Sequence, residues 1–429
     1  MNSCLAIIAA PRNDAKSSTK DKFNDHVLMN ALASDTNSPA TTLQTAAPWD
    51  YKRELLLALV LLLVSQLFAL TFGRLVRWEL AAAHAKPLEA PQLYRCFEGN
   101  PRKPNDFCQL DCCWYSSIIR SGYDKRPEFD QEGDRANWSF FPLFPLSAVP
   151  FFKIFRLEST LSAVVASNFA LYFAILAFLF MIRSRTNSLR DKVVAGALVA
   201  FNPAIIYAYG GYAEPLYFAL AAAGFALLER RYWIGAGIAG GLLGAARPTG
   251  ILFIVAYLIA AWRSGAVGQF FRERRLGVLV GALLCPLGVS IWMLFMYHRS
   301  GDALAWMHMH AAWGVARGSV TSIFWHSLAA GGWRRFWALV ALAGFGVSAW
   351  LVKQREYEHA AFLALAILMP ATAEVAGMPR FVWWQPPTLF ATYLLLKRHP
   401  NAQVIYFALA GGMASAMTLF WFLGNRPLA

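Results

Sequence analysis

The stretch ELLLALVLLLVSQLFALTFG, residues 54–73, decides the fold. After Glu54 it carries no charge, and twenty residues of helix rise about 30 Å, the depth of a bilayer's hydrocarbon core. Lys52 and Arg53 precede it, as basic residues precede a span that starts on the cytoplasmic side.

Similar runs recur near 159–182, 194–209, 215–228, 233–246, 249–262, 277–297, 336–352, 360–375, 386–396 and 402–423, so about eleven crossings are expected. The run FFPLFPLSAVPFFKIF, 140–155, is also apolar, but its three prolines make it an interfacial or re-entrant segment rather than a crossing. Composition agrees: the 429 residues are 57% hydrophobic and only 15% charged, too few charges to cover a soluble surface of this size. The expected class is an all-α polytopic membrane protein.

The net charge of +14 would point to nucleic acid in a soluble chain, but here the basic residues sit between apolar runs, where topology explains them. Loops on the N-terminal side hold fourteen basic residues, among them Arg185, Lys192, Arg230, Arg263 and Lys397, against six on the opposite short loops. That asymmetry puts the N-terminus in the cytoplasm and the long polar section 74–158 outside. Residues 1–50, rich in Ser, Thr, Asn and Ala, read as a disordered cytoplasmic tail, and 51–429 as the transmembrane domain.

With this topology Asp111, Glu214, Arg247, Arg299 and Arg380 share the outer face. In FCQLDCCWYSSIIRSGYD, 107–124, Trp114, Ile118 and Ile119 recur at helical spacing, predicting a short interfacial helix with Asp111 near its start. Two readings of Asp111 stand side by side: a helix cap, or a general base at a membrane surface. Glu214, before Pro215, is either a solvated turn residue or an acid facing a substrate cavity. Arg247 in GAARPTG and Arg380 in GMPRFVWWQPP are lone cations that either snorkel or fork onto a phosphate.

Other features carry less. His308 and His310 lie two apart and cannot share a helix face, so no metal site is expected. The acidic run Asp130, Glu132, Asp134 reads as a solvated face, and NWS at 137–139 matches a glycosylation acceptor pattern. Cys96, Cys108, Cys112 and Cys113 share the outer section, where a disulfide such as Cys96–Cys108 is compatible with an oxidising compartment, although spacing alone does not choose partners.

Four blocks taken in order resemble the PIG-V-type mannosyltransferases: QLDCCWYSSIIRSGYD, WSFFPLFPL (138–146), the long block from FNPAIIYAYGGYAEPLYF to GAARPTGILF (201–253), and GMPRFVWWQPPTLF (377–390). The chain departs from the pattern at Leu110, where the family has Trp, and at Ala213, where it has Ser or Thr. The resemblance implies a GT-C-like bundle with interfacial helices in the first outer loop. It implies transfer of a sugar, mannose, from a polyprenyl-phosphate carrier to an acceptor hydroxyl. Asp111 and Glu214 would then be catalytic, with Arg247, Arg380, Tyr115 and Tyr212 binding substrate. No cofactor is expected beyond the lipid-linked donor, and the expected partners are that donor, an acceptor and membrane lipids, not nucleic acid. A bacterial inner membrane with the site facing the periplasm fits better than endoplasmic reticulum. The rival reading is a transporter or lipid-carrier flippase with no transfer activity.

Overall fold

The computed structural model describes residues 51–82, 107–125, 136–186, 188–273, 276–309 and 319–422, and within them there is no strand. The expected tail, Cys96, the run 130–134 and His310 lie outside these residues.

Helix α1, Tyr51–Ala82, contains the opening stretch and continues nine residues past Gly73, into what the sequence suggested was loop. Most of its leucines point outward, Leu56, Leu63 and Leu67 being more than half exposed, as expected of a surface that meets lipid, while Leu61 is buried against the bundle. The short helix predicted around Asp111 exists as α2, Asp111–Ser121, burying Tyr115, Ile118 and Ile119. The proline-interrupted run forms α3, Leu143–Lys153, whose eleven residues are too few to cross a bilayer.

Next come α4, Ser159–Ile182, and α5, Leu189–Ala200. The run 194–209, expected as one span, is broken: α5 ends before Asn202–Pro203, and only a single turn, α6 (Ile206–Tyr209), follows. Proline removes a backbone donor here, and Asn202 Oδ1 instead accepts from Ala204 N at 2.8 Å. Helix α7, Glu214–Glu229, packs along α4, and α8, Trp233–Ala246, follows it. Gly237 and Gly241 let α8 press on α11, Gly277–Leu284: a Cβ on Gly237 would stand 2.2 Å from Gly281 O.

After Arg247, the segment Pro248–Leu252 makes a tight helical turn before α9, Phe253–Arg263, and a surface helix, α10, spans Ala266–Glu273. Helices α11 and α12, Leu287–Ser300, replace the expected span 277–297 with two pieces bent by 40° at Cys285–Pro286. The rest are α13 (Ala305–His308), α14 (Val320–Ala330), α15 (Gly332–Lys353), α16 (Tyr357–Ala371), α17 (Met378–Trp383), α18 (Pro386–Arg398) and α19 (Ala402–Phe422).

By length and composition, four described helices (α1, α4, α15 and α19) can each cross a membrane, or five spans if the bent pair counts as one. Other expected crossings are present as helices of 11 to 16 residues, such as α7, α8 and α9.

Ion pairs gather the basic loops at one end of the bundle. Arg185 lies 2.9 Å from Glu356 and 3.6 Å from Glu229, Arg263 2.7 Å from Glu358, and Lys397 3.7 Å from Asp191. Lys192 pairs there with Glu54. These contacts join the start of α1 and α5, the ends of α4, α7, α9 and α18, and the start of α16. The lone charges singled out in the sequence lie at the opposite helix ends.

Candidate functional site

Asp111 is the first residue of α2, and its main chain is held from several sides. Its N–H donates to Tyr212 Oη at 3.2 Å, while that hydroxyl donates to Gln109 O at 3.1 Å. Leu110 before it takes a left-handed φ of 54°. A disulfide joins Cys108 to Cys112 across Asp111, in place of the Cys96–Cys108 pairing suggested from sequence. Cys113 is disulfide-bonded as well. Cys112 packs on Gly211, where a Cβ would come within 2.8 Å of its sulfur and where φ is +76°. Only glycine fits there without strain.

So anchored, Asp111 does not cap its helix: the N-cap position is Leu110, which makes no side-chain bond. The carboxylate instead accepts from Arg380 Nη2 at 2.6 Å. Glu214, at the start of α7, is not a solvated turn residue either, being 1% exposed. Arg247, held in extended backbone by the helix break before Pro248, donates to it through Nη1. Arg380 Nε lies 2.9 Å from the same carboxylate oxygen, an ion pair in distance but not aligned as a hydrogen bond.

The four charges thus alternate along a chain, Asp111, Arg380, Glu214, Arg247, and sum to zero. Side-chain exposure falls from 25% at Asp111 and 17% at Arg380 to 2% at Glu214. Asp111 and Arg380 stand at the mouth; Glu214 is the buried post on which both guanidinium groups lean. Aromatic rings wall the cations: Arg380 lies 5.6 Å from the centroids of Tyr207, Tyr212 and Phe381, and Arg247 lies 5.0 Å from Phe381.

Tyr115 and Tyr212, read from sequence as substrate contacts, take supporting positions. Tyr115 is buried edge-on against Phe140 and Phe144, at 5.2 and 4.7 Å, and Tyr212 holds the backbone of Asp111. Arg299 serves elsewhere, donating to Tyr123 O at 2.6 Å and Asp124 O at 3.2 Å. His308 pairs with Asp302 at 2.6 Å. The glycosylation pattern is internal: Asn137 is fully buried and its amide donates to Gly122 O at 3.2 Å.

Sequence reasoning missed Tyr207 and Phe381 as walls, and Asn202 as a brace. Asn202 Nδ2 donates to Trp383 O at 2.7 Å, tying the break after α5 to the end of α17, the helix that carries Arg380. The Asn-Pro step inside an apolar run was the available signal.

A cavity of about 720 Å³ lies between α3, α4, α7 and the start of α1. On α7 it is lined by Leu216, Ala219, Leu220 and Ala223, one helical stripe. Glu214, Phe218, Ala221 and Phe225 form the opposite stripe. This groove therefore lies behind the charged site rather than beside it.

No family model matches the sequence, and no curated protein matches it. Among solved structures, ArnT from Cupriavidus metallidurans bound to undecaprenyl phosphate is similar with a TM-score of 0.47 and 15% identity, covering 72% of this chain and 59% of that one. AglB, an oligosaccharyltransferase from Archaeoglobus fulgidus, in complex with an inhibitory peptide and a dolichol-phosphate, gives a TM-score of 0.43 and 13% identity, over 84% of this chain and 56% of that one. This chain thus spans little more than half the length of either. Scores this low transfer no residue roles, which rest here on the chain's own geometry.

Proposed function

We propose that the chain is a membrane glycosyltransferase of GT-C type. It moves a sugar, mannose by the sequence resemblance, from a polyprenyl-phosphate carrier to an acceptor hydroxyl. The observation that carries the reading is the convergence of Asp111, Glu214, Arg247 and Arg380 from four separate segments on one end of the bundle, with Asp111 at its open edge.

Asp111 takes the proton of the acceptor hydroxyl as that oxygen attacks the anomeric carbon. The bond from that carbon to the carrier phosphate breaks, and polyprenyl phosphate leaves with the electron pair. Displacement from the opposite side inverts the centre. The departing phosphate is already a good leaving group, so one carboxylate suffices where glycoside hydrolysis needs two. Arg380 meets the developing negative charge, with Arg247 behind it. To do so, Arg380 exchanges Asp111 for the phosphate, so donor binding frees the base. Glu214 keeps both guanidinium groups in place and is a positioning residue.

Two features support a site on the face away from the cytoplasm, which in a bacterial inner membrane is the periplasmic one. The basic loops gather at the other end, and the disulfide beside Asp111 calls for an oxidising compartment.

The test is to incubate the purified chain with radiolabelled polyprenyl-phosphate mannose and hydroxyl-bearing acceptors. Label joined covalently to an acceptor without ATP is the expected result. Label that only crosses the bilayer, still on its carrier, would instead make the protein a flippase.

A further inference from the structure

The groove behind α7 is independent of the transfer site, and its composition points to an occupant. Ala166, Ala170 and Ala177 on α4 and Ala219 and Ala223 on α7 hollow it out. From residue 166 to residue 180 it follows α4 for about 21 Å, at 1.5 Å per residue. A slot of that length and apolarity suits one lipid chain lying along the bilayer normal.

Its far end, at the basic face of the bundle, is not apolar. Glu54 lines it there, 3% exposed, with one carboxylate oxygen on Lys192 and the other, Oε2, buried without a hydrogen-bond partner. A carboxylate oxygen left unsatisfied out of water is costly, so something that donates belongs beside it. Lys192 brings three donors, of which one goes to Glu54, leaving two N–H groups for an anion at the same depth. A donor cation next to an anion, on top of a long apolar chain, describes one kind of membrane component.

We propose that this groove is a binding site for an aminophospholipid from the leaflet at the basic end. One acyl chain lies between α4 and α7, the Glu54 carboxylate turns Oε2 toward the groove to accept from the ammonium of the headgroup, and the phosphate faces Lys192. Neither a glycerol nor a choline headgroup supplies a charged N–H at that point.

The test uses the full chain in nanodiscs of equimolar phosphatidylethanolamine and phosphatidylglycerol, followed by mass spectrometry of the lipids that stay bound on release. The ethanolamine lipid should be retained roughly tenfold over the glycerol lipid, as one hydrogen bond between charged groups predicts. Glu54→Gln should abolish that preference. Lys192→Met should keep it, because Glu54 then has no other cation, and this separates loss of the lipid contact from loss of the ion pair. Ala219→Phe, which fills the groove, should reduce retention of both lipids and decides the matter if Glu54→Gln does not fold. Equal retention of the two lipids by the unmodified chain would overturn the proposal. So would retention of none, with the groove covered by the chain's own N-terminal residues.

Discussion

Arg380 and Asp111, separated by 269 positions in the chain, meet at 2.6 Å at the mouth of the site. Their contact joins the first residue of α2 to the short helix α17; on the proposed reading it is the resting state, in which the cation meant for the leaving phosphate holds the base. Substituting Arg380→Lys keeps the charge but removes the fork that reaches Asp111 and Glu214 together. Apparent donor affinity should fall about tenfold to a hundredfold, the loss of one charged hydrogen bond. Binding measured with donor alone should show this drop, with acceptor KM little changed. An equal loss for both substrates would contradict a phosphate role.

Glu214 should prove more important to the fold than to the chemical step. It is buried and leans on two cations, so Glu214→Gln leaves Arg247 and Arg380 with weakened partners. Removing one member of a buried ion pair costs about 3–5 kcal/mol. Thermal unfolding in detergent should report a marked loss of stability. Pairing the change with Arg247→Met in a double-mutant cycle should recover part of it.

The Cys108–Cys112 bridge encloses Asp111 and packs against Gly211. Reduction, or Cys112→Ser, should lower kcat by loosening the carboxylate while the donor, held on Arg380, still binds. Activity should return on reoxidation of the native chain. Full activity under reducing conditions would deny the bridge a positioning role.

Glycines in the bundle divide into two kinds. Gly237→Ala drives a methyl into the backbone of Gly281, 2.2 Å from its carbonyl oxygen, and should destabilise by about 1–3 kcal/mol. Gly411 and Gly412 on α19 meet nothing within 4 Å, so alanine at either should be neutral or stabilise by up to about 1 kcal/mol. Melting temperatures of the three variants check the contrast.

The helices were legible because a bilayer demands long apolar runs, and 54–73, 159–182 and 402–423 have them. The broken runs were less so: Asn202–Pro203 and Cys285–Pro286 lie inside continuous apolar sequence, and their effect depends on partners such as Trp383 O. Asp111, Glu214, Arg247 and Arg380 stood out as single charges in apolar surroundings. What they do to one another was hidden, because the contacts bridge distant segments. Local rules left Asp111 open between a cap and a base, and Glu214 between a solvated turn residue and a cavity-facing acid; the tertiary ion pairs exclude the cap and the solvated turn. Tyr115 and Tyr212 came from the resemblance alone, and neither spacing nor composition told lining from support. Asn137 matched a surface pattern, yet its amide is consumed by Gly122 O in the interior.

The most direct test of the central claim is the rate of label transfer by Asp111→Asn. Asparagine keeps the size of the side chain but cannot take a proton, so kcat should fall by about 10²–10⁴-fold while the protein still inserts and binds donor. Transfer at an undiminished rate by that variant would contradict the account, because no other carboxylate of the quartet stands at the open edge of the site.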